Sequence, residues 1–419
     1  MNGTRSELPI YHDSSVPISL GCKPCPELGL CGGLQTAKGL HNCQSFCKCT
    51  NPVKCQFVCP QKLEDFVNRV QEIRGFTLQN IPPVPNLSFP SIRGVIPHIY
   101  GRSHRIRRLV VPAVSIPLIK LFYRKTGLPK YRSKSEVAEA FGFDPSAQII
   151  INGVSEDQPI EDYWTHRRAT HLPEFLALLK PALISVPNYS VFTNVPRWDD
   201  LYSIKRIAIC WQEFMLAGIP ASLHLNARTD TDWMRWTDFI NKHPEVHSVT
   251  FEFATGAAHK ERADYHVLNL IKLASNVDRR LQLFTRGGLQ YLEQLDAAFD
   301  ECVFIDTGSY VKTTKRRKLE WGPEEKKHWR SAKTLKGDPL DDLLLHNIRT
   351  TEAMVDYTRR LRKGVSERPT METLPAVGFP NPKQIPLPWL QAEGRSHKKT
   401  PVPQTVTKAG RSLARSATR

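Results

Sequence analysis

From about residue 105 onward, short runs of β-branched and other apolar residues alternate with longer stretches that have the apolar spacing of amphipathic helices. The runs predict seven strands, at residues 109–117, 148–151, 182–186, 219–225, 246–253, 281–284 and 301–305. The stretches between them, such as residues 200–217 and 263–275, are long enough to cross back over a parallel sheet. This alternation predicts an α/β fold with a TIM-like barrel, complete or incomplete, and an open doubly wound sheet is the alternative.

The sequence on either side of the predicted barrel differs in composition and divides into separate segments. Five prolines between residues 82 and 97 exclude a helix there, because proline lacks an amide donor and restricts the residue before it. Residues 381–419 contain eight Lys or Arg and one acid, which is typical of a disordered basic arm. The predicted segments are a cysteine-rich metal-binding module (1–60), a Pro-rich linker (61–104), the TIM-like barrel (105–320), a charged helical extension (321–368) and a disordered basic tail (369–419).

Lys and Arg outnumber Asp and Glu by 58 to 41, so the chain has a formal charge of +17 and a pI near 9.5. A charge of this sign predicts an acidic partner. No apolar run approaches the roughly 20 residues that a membrane helix needs, which excludes channels and transporters. The first 19 residues lack a basic stretch followed by an apolar one, so we expect no secretory signal, a cytoplasmic location and reduced cysteines.

Eight of the ten cysteines lie within residues 22–59, with the close spacing of paired metal ligands. They are Cys22, Cys25, Cys31, Cys43, Cys47, Cys49, Cys55 and Cys59. Eight thiolates divide into two four-ligand sites, and a segment with so few large apolar side chains needs such a staple to fold. We therefore predict two zinc sites, with an iron–sulfur cluster on four of the thiolates as the alternative. Sites filled by thiolates lack an open coordination position, which indicates folding or nucleic-acid contact rather than catalysis.

Polar residues follow six successive predicted strands, at the end where a TIM-like barrel carries its chemistry. The site residues predicted from this pattern are Asn188, Tyr189, Arg197, His224, Asn226, Arg228, Glu252, Arg286 and Asp306. Each residue also has a structural alternative, such as a turn, a helix cap or an ion pair. Because six strand ends carry more polar residues than capping requires, we expect a polar pocket.

Glu252 and Asp306 are the carboxylates best placed to activate water or to stabilise a cationic sugar, as glycosidic bond cleavage requires. The other predicted roles are phosphate or base-edge binding by Arg197, Arg228 and Arg286, base stacking by Tyr189, proton transfer or hydrogen bonding by His224, and polar contacts by Asn188 and Asn226. The sequence has no Walker loop, dinucleotide-binding glycine motif, His-Glu-x-x-His or Gly-x-Ser-x-Gly. We therefore expect neither nucleotide hydrolysis nor nicotinamide redox chemistry nor serine hydrolysis.

Basic and aromatic residues are interleaved at residues 100–108, 123–125 and 130–132, with almost no acid among them. Further basic residues occupy 315–318 and the C-terminal tail. This pattern predicts salt-dependent and weakly sequence-specific binding to DNA phosphates, with RNA as the alternative. These stretches lack a sustained amphipathic helix, so we expect no membrane partner.

Three segments resemble a family of bacterial and mobile-element proteins that carry a domain of unknown function. They read FGFDPSAQIIINGVSEDQPIEDYW from Phe141, VPNYSVFTNVPRWDDLYSIKRIAICWQEFMLAGIPASLHLNART from Val186 and FEFATG from Phe251. The pattern of PNYS, VPR, a helix and then GIP covers about a quarter of the chain and is fairly specific to that family. The sequence also resembles the anti-phage DNA glycosylases that remove glucosylated hydroxymethylcytosine and, more distantly, the tRNA-guanine and DNA-guanine transglycosylase barrels.

The chain departs from the transglycosylases at two places. It has Asn152-Gly153-Val154 where they carry an Asp-Ser-Gly segment, and its cysteines are N-terminal whereas their zinc site is C-terminal. The resemblance therefore favours hydrolytic removal of a base over guanine exchange. It implies a DNA N-glycosylase that flips a modified phage base into the pocket and leaves an abasic site. The alternatives are a non-enzymatic, metal-stapled nucleic-acid-binding protein and a base-modifying transglycosylase or nuclease.

Overall fold

The structure is a computed structural model that describes residues 69, 71–191, 197–254, 260–321 and 327–362. Its central element is a sheet of eight parallel strands. The strands are β1 Val95–Pro97, β2 Ala113–Pro117, β3 Gln148–Asn152, β4 Leu183–Ser185, β5 Ala221–His224, β6 Ser248–Glu252, β7 Gln282–Arg286 and β8 Glu301–Asp306. Their order in the sheet is β1-β8-β7-β6-β5-β4-β3-β2, so the strands from β2 to β8 are neighbours in chain order.

The two ends of this strand order meet. His98, directly after β1, forms a parallel bridge with Ser115 of β2, and the Ile99 N–H donates to the Ser115 carbonyl oxygen over 2.8 Å. The sheet is therefore nearly closed into a barrel. The predicted α/β class and TIM-like barrel are confirmed at this level, and the seven predicted strands correspond to β2 to β8.

Helices flank the sheet and connect most of the successive strands. They are α1 Lys134–Phe141, α2 Asp157–His166, α3 Leu172–Leu178, α4 Arg197–Leu216, α5 Asp230–Lys242, α6 Lys260–Asn276, α7 Leu292–Ala298, α8 Gly308–Thr314 and α9 Asp341–Arg362. Local sequence sets several of their ends. The Ser133 hydroxyl accepts a hydrogen bond from the Glu136 N–H at the start of α1, and Thr229 and Asp232 form a capping box at the start of α5.

Each strand directs alternate residues to opposite sides of the barrel wall. One set packs against the helices and includes Val249 and Phe251 of β6. The other set forms a separate cluster of Ile96, Ile150, Leu183, Phe284, Val303 and Ile305, contributed by five strands. Since strands that are not neighbours can only meet inside the barrel, this second set points inward. Its alternation continues to the carboxyl ends of the strands, where the inward residues become polar.

The first strand lies inside the segment that the sequence predicted as a linker. β1 pairs with β8 over its full length, and Ile73, Phe76 and Leu78 upstream of it are buried in the core. The linker prediction for residues 61–104 is therefore wrong for these parts of the segment. Proline excludes a helix there, but Pro97 is the last residue of β1 and the bridge to β2 begins only at His98, so a proline is tolerated at this position.

The charged extension contains a hairpin as well as a helix. β9 (Arg317–Trp321) and β10 (Lys327–Ser331) pair antiparallel and form a separate two-stranded sheet. The helical prediction for residues 321–368 holds for α9 and is wrong for β10. α9 packs outside the barrel, as expected, because its residues Leu344, Ile348 and Val355 join the core on the helix side.

Several predictions fall on residues outside the described ranges. They include the module at residues 1–60 with its eight predicted metal ligands and the predicted tail at residues 369–419. Among the described residues, no group of three or more His, Cys, Asp or Glu side chains is arranged to hold a metal ion. Within the same ranges, none of the helices combines the length and apolar composition that a bilayer crossing requires.

Candidate active site

An ion pair lies at the carboxyl end of the barrel. Glu252 ends β6 and Arg286 ends β7, and the two residues are register partners that share the inward side of their strands. The Glu252 Oε2 atom lies 3.1 Å from Arg286 Nε, with side chains that are 4% and 15% exposed. The two atoms are not aligned for a hydrogen bond. The second carboxylate oxygen, Oε1, accepts a hydrogen bond from the Ala254 N–H over 2.7 Å.

The Glu252 carboxyl has an unusual proton affinity. Burial raises its pKa from 4.5 to about 7, and the charge of Arg286 and the Ala254 N–H only partly offset this effect. A carboxyl with a pKa near neutrality exchanges its proton readily at physiological pH. Glu252 can therefore act as a general acid or a general base.

Two neutral histidines also point to the inside of the barrel. His98 and His224 follow the inward alternation of β1 and β5, and both are fully buried. Burial, followed by the charge of Arg286, lowers the pKa of each histidine to about 3. The His98 Nδ1 atom lies 2.8 Å from the Ser115 hydroxyl. Neither ring nitrogen of His224 has a hydrogen-bond partner among the described residues.

An amide and an aromatic ring complete the cluster. The Asn152 Oδ1 atom accepts from the Val154 N–H at 2.8 Å, while its Nδ2 donor finds no partner in the described part of the chain. The Tyr100 ring packs edge-on against His98, with 4.6 Å between the ring centroids, and contacts Tyr310 at 5.7 Å. Buried polar atoms without partners are rare in folded proteins. Their concentration here is the arrangement expected of a site that binds a polar ligand.

The geometry combines a carboxyl that can exchange protons, a fixed cation and neutral hydrogen-bonding groups. Arg286 also reaches the loop after β3, since its Nη1 atom lies 3.5 Å from the Val154 carbonyl oxygen. The Arg286 guanidinium therefore extends from β7 across the mouth of the barrel to the loop after β3. Such a site can transfer protons to or from an uncharged polar ligand while stabilising charge that develops on it.

Asp306, the second predicted carboxylate, does not join this cluster. It follows the inward-pointing Ile305 and therefore lies on the helix side of β8. Its Oδ1 atom accepts from the N–H groups of Gly308 at 2.8 Å and Ser309 at 3.2 Å, and Oδ2 accepts from the Ser309 hydroxyl. These bonds stabilise the start of α8. Of the two predicted carboxylates, the structure places only Glu252 in the cluster.

Arg228 and Asn226 hold the loop after β5 in place. The Arg228 Nη1 atom lies 2.6 Å from Asp200 Oδ2 on α4, with side chains that are 3% and 0% exposed. A guanidinium buried against a carboxylate is not accessible to a phosphate. The side-chain amide of Asn226 donates to the Tyr189 carbonyl oxygen over 2.7 Å, and the backbone carbonyl oxygen of Asn226 accepts from the Trp236 indole.

The remaining predicted residues lie in or beside the loop after β4. The Tyr189 ring is fully buried against Trp164 and the Arg206 guanidinium, so it is not open to stacking on a base. The Asn188 Oδ1 atom accepts from the Ser155 N–H over 2.9 Å and ties this loop to the one after β3. Arg197 is the first residue of α4, and its side chain lies outside the described part of the structure.

The structure thus brings together three predicted residues, His224, Glu252 and Arg286. It adds residues that sequence reasoning missed, namely His98, Tyr100 and Asn152. Asn152 carried a usable signal, because it ends a predicted strand as the other site residues do. His98 carried a weaker signal, since the β-branched pair before it was obscured by the surrounding prolines.

No protein-family model and no curated protein matches this sequence. Two solved structures show a low structural similarity. A designed, cube-shaped and highly porous protein cage made by fusing symmetric oligomeric domains is 12% identical, with a TM-score of 0.32, over 65% of this chain and 77% of that chain. A putative fructose-1,6-biphosphate aldolase from Coccidioides immitis is 13% identical, with a TM-score of 0.32, over 67% of this chain and 93% of that chain. Scores this low indicate neither the fold nor the function of this protein.

Proposed function

We propose that this protein is a DNA N-glycosylase in which Glu252 is the catalytic carboxyl. The observation that carries the proposal is the Glu252–Arg286 ion pair, buried at the barrel mouth among polar groups without partners. A pKa of about 7 lets Glu252 lose or hold a proton under the same conditions. N-glycosidic cleavage needs such a group close to the anomeric carbon.

In the proposed reaction, the bond between the sugar C1′ atom and the base nitrogen breaks. The ionised Glu252 carboxylate stabilises the positive charge that develops on the sugar and takes a proton from the attacking water. The water oxygen bonds to C1′ as the base departs with the bonding electron pair. The base takes up a proton from solvent, and Glu252 releases the proton that it took from water to solvent, which restores the carboxylate. Arg286 keeps a fraction of Glu252 ionised, because its charge opposes the effect of burial.

The neutral groups at the mouth are suited to an uncharged base. Asn152 and His224 offer hydrogen-bonding atoms that no described residue occupies. Tyr100 offers an aromatic surface beside His98. Residues 141–256 resemble the family that carries a domain of unknown function, and that family suggests the anti-phage glycosylases, so we propose glucosylated hydroxymethylcytosine in phage DNA as the base. We also propose that the N-terminal cysteines hold zinc, which metal analysis of the purified protein would test.

The test uses the purified protein with unmodified DNA and with phage DNA that carries glucosylated hydroxymethylcytosine. We expect strand breaks after alkali in the modified DNA only, since alkali cleaves abasic sites. Glu252→Gln should lower the rate by about 10²–10⁴-fold, the usual contribution of a general acid or base. Asp306→Asn is the matched control, because this carboxylate caps α8 outside the cluster, so we expect its loss to lower stability and to leave the rate of the folded protein close to that of the wild type.

Other products would assign another function. Breaks without alkali would identify a nuclease, and intact DNA with a salt-sensitive gel shift would identify a non-enzymatic binding protein. Equal loss of activity in both variants would contradict the assignment of Glu252 as the catalytic carboxyl.

A further inference from the structure

The β9–β10 hairpin lies beside the mouth of the barrel. α8 begins at Gly308, two residues after the carboxyl end of β8, and leads directly into β9. A Cβ atom on Gly308 would lie 3.7 Å from the Trp329 ring and 3.9 Å from the Lys327 ammonium. Trp329 and Lys327 of β10 therefore reach the start of α8, where the chain leaves the barrel.

This part of the surface is strongly basic. In the sequence, residues 308–331 contain eight Lys or Arg residues and three acids, Glu320, Glu324 and Glu325. Glu320 pairs with Arg330 over 2.8 Å. Lys312, Lys315, Lys318 and Lys327 form no ion pair with a described residue, and all but the partly buried Lys312 are exposed.

Residues 100–108, one of the other predicted basic stretches, differ from the hairpin once the chain is folded. Arg102 and Arg108 both pair with Glu139, at 2.6 and 2.5 Å, and Arg107 pairs with Asp342. Arg105 is buried and donates to backbone carbonyl oxygens. Three of the four arginines in residues 100–108 are therefore engaged in ion pairs and the fourth is buried, whereas Lys315, Lys318 and Lys327 are exposed and form no ion pair with a described residue.

Two details of the hairpin fit a polyanionic partner with aromatic bases. Arg330 lies directly opposite Lys318 in the strand register, where like charges are destabilising, and Glu320 pairs with Arg330 but not with Lys318, so the charge of Lys318 is left for a partner. Two ammonium groups lie near the partly exposed Trp329 ring, with Lys327 at 5.3 Å and Lys312 at 6.0 Å from its centre. An aromatic ring flanked by cations can stack on a base while the cations bind the adjoining phosphates.

We propose that the β9–β10 hairpin and α8 form a DNA-binding arm. In this arrangement Lys312 and Lys327 bind phosphates, and Trp329 stacks on a base next to the one that enters the mouth. The choice of DNA as the nucleic acid rests on the proposed glycosylase function. The arm itself rests on the charge and position of the hairpin and is independent of the chemistry at Glu252.

The first test measures the affinity of the full-length protein for a short DNA duplex by fluorescence anisotropy over a range of salt concentrations. Each lysine that binds a phosphate contributes about one to the slope of log affinity against log salt. The double variant Lys312→Ala/Lys327→Ala should therefore reduce that slope by about two. Lys272→Ala is the matched control, because Lys272 is exposed and lies near the end of α6, at the opposite end of the barrel from the hairpin.

The second test concerns the aromatic ring. Trp329→Ala should weaken binding to single-stranded DNA about tenfold, and Trp329→Phe should restore most of that loss, because a smaller ring still stacks. Thermal unfolding of both variants checks that the hairpin stays folded. An unchanged affinity in Trp329→Ala would overturn the stacking role.

The outcomes separate the arm from the glycosylase. Glu252→Gln should lower the rate of abasic-site formation by about the same 10²–10⁴-fold and keep wild-type DNA affinity, whereas the lysine variant should lose affinity. A salt slope in the lysine variant equal to that of Lys272→Ala would overturn the arm while leaving the glycosylase intact. Tighter binding of the full-length protein to duplex RNA than to duplex DNA of equal length would overturn the assignment of the arm to DNA. A reduced slope without abasic product would keep the arm and refute the glycosylase.

Discussion

Replacing Glu252 with glutamine is expected to stabilise the protein at alkaline pH and to change its stability little near pH 4.5. Glutamine has nearly the shape of a protonated glutamic acid, so the variant mimics the wild type with this proton bound. The pKa of Glu252 is about 7 in the folded protein and 4.5 without the fold. Between these values the folded state binds the proton more tightly than the unfolded chain, so wild-type stability falls as the pH rises.

The expected magnitude follows from the two pKa values. At pH 8 both states have released most of this proton, and at about 1.4 kcal/mol for each pKa unit the wild type has lost about 3 kcal/mol relative to acid pH. Arg286 lacks a charged partner both in Glu252→Gln and in the protonated wild type. Its contribution therefore cancels when the variant is compared with that state.

The assay is urea unfolding of the wild type and Glu252→Gln at several pH values from 4.5 to 8. We expect the two free energies of unfolding to approach each other near pH 4.5 and the variant to be more stable by about 3 kcal/mol at pH 8. Glu293→Gln, the same change at an exposed position on α7, controls for the removal of one carboxylate. Parallel curves for the wild type and Glu252→Gln would refute the raised pKa and the proton-transfer role that depends on it.

Three further substitutions test the structure. His98 and His224 each have a pKa of about 3 in the folded protein against 6.5 in the unfolded chain, so the stability that is present above pH 6.5 falls as the pH drops towards 3. Between pH 7 and pH 5, the free energy of unfolding of His224→Asn should therefore fall by about 2 kcal/mol less than that of the wild type. An equal fall for both proteins in urea unfolding would contradict this. Arg228→Ala removes the guanidinium that pairs with the fully buried Asp200 carboxylate and should cost about 3–5 kcal/mol. Wild-type stability with weakened DNA binding would instead return Arg228 to a phosphate-binding role. A Cβ atom on Gly153 would lie 2.4 Å from the Ser185 carbonyl oxygen, so Gly153→Ala should lower the melting temperature by the several degrees that overpacking of about 1–3 kcal/mol causes, and an unchanged value would contradict that close approach.

Most of the sheet could be predicted because its strands are visible as local apolar runs. The strands β2 to β8 each coincide with such a run, and the helices between them show the apolar spacing of amphipathic helices. β1 could not be predicted in this way. It has three residues among prolines, and its strand character depends on pairing with β8, which lies far along the chain.

The sequence by itself determined the α/β class and placed polar side chains, among them His224, Glu252 and Arg286, at the ends of strands. Side chains alternate along a strand, so whether a residue at its end points into the barrel depends on its position in that alternation. A shift by one position turns the side chain to the other side of the sheet. Glu252 and Arg286 point inward on this account, and Asp306 lies on the helix side. The proton affinity of Glu252 is decided only by the nearly closed barrel, since the burial that raises its pKa comes from residues that are remote in sequence.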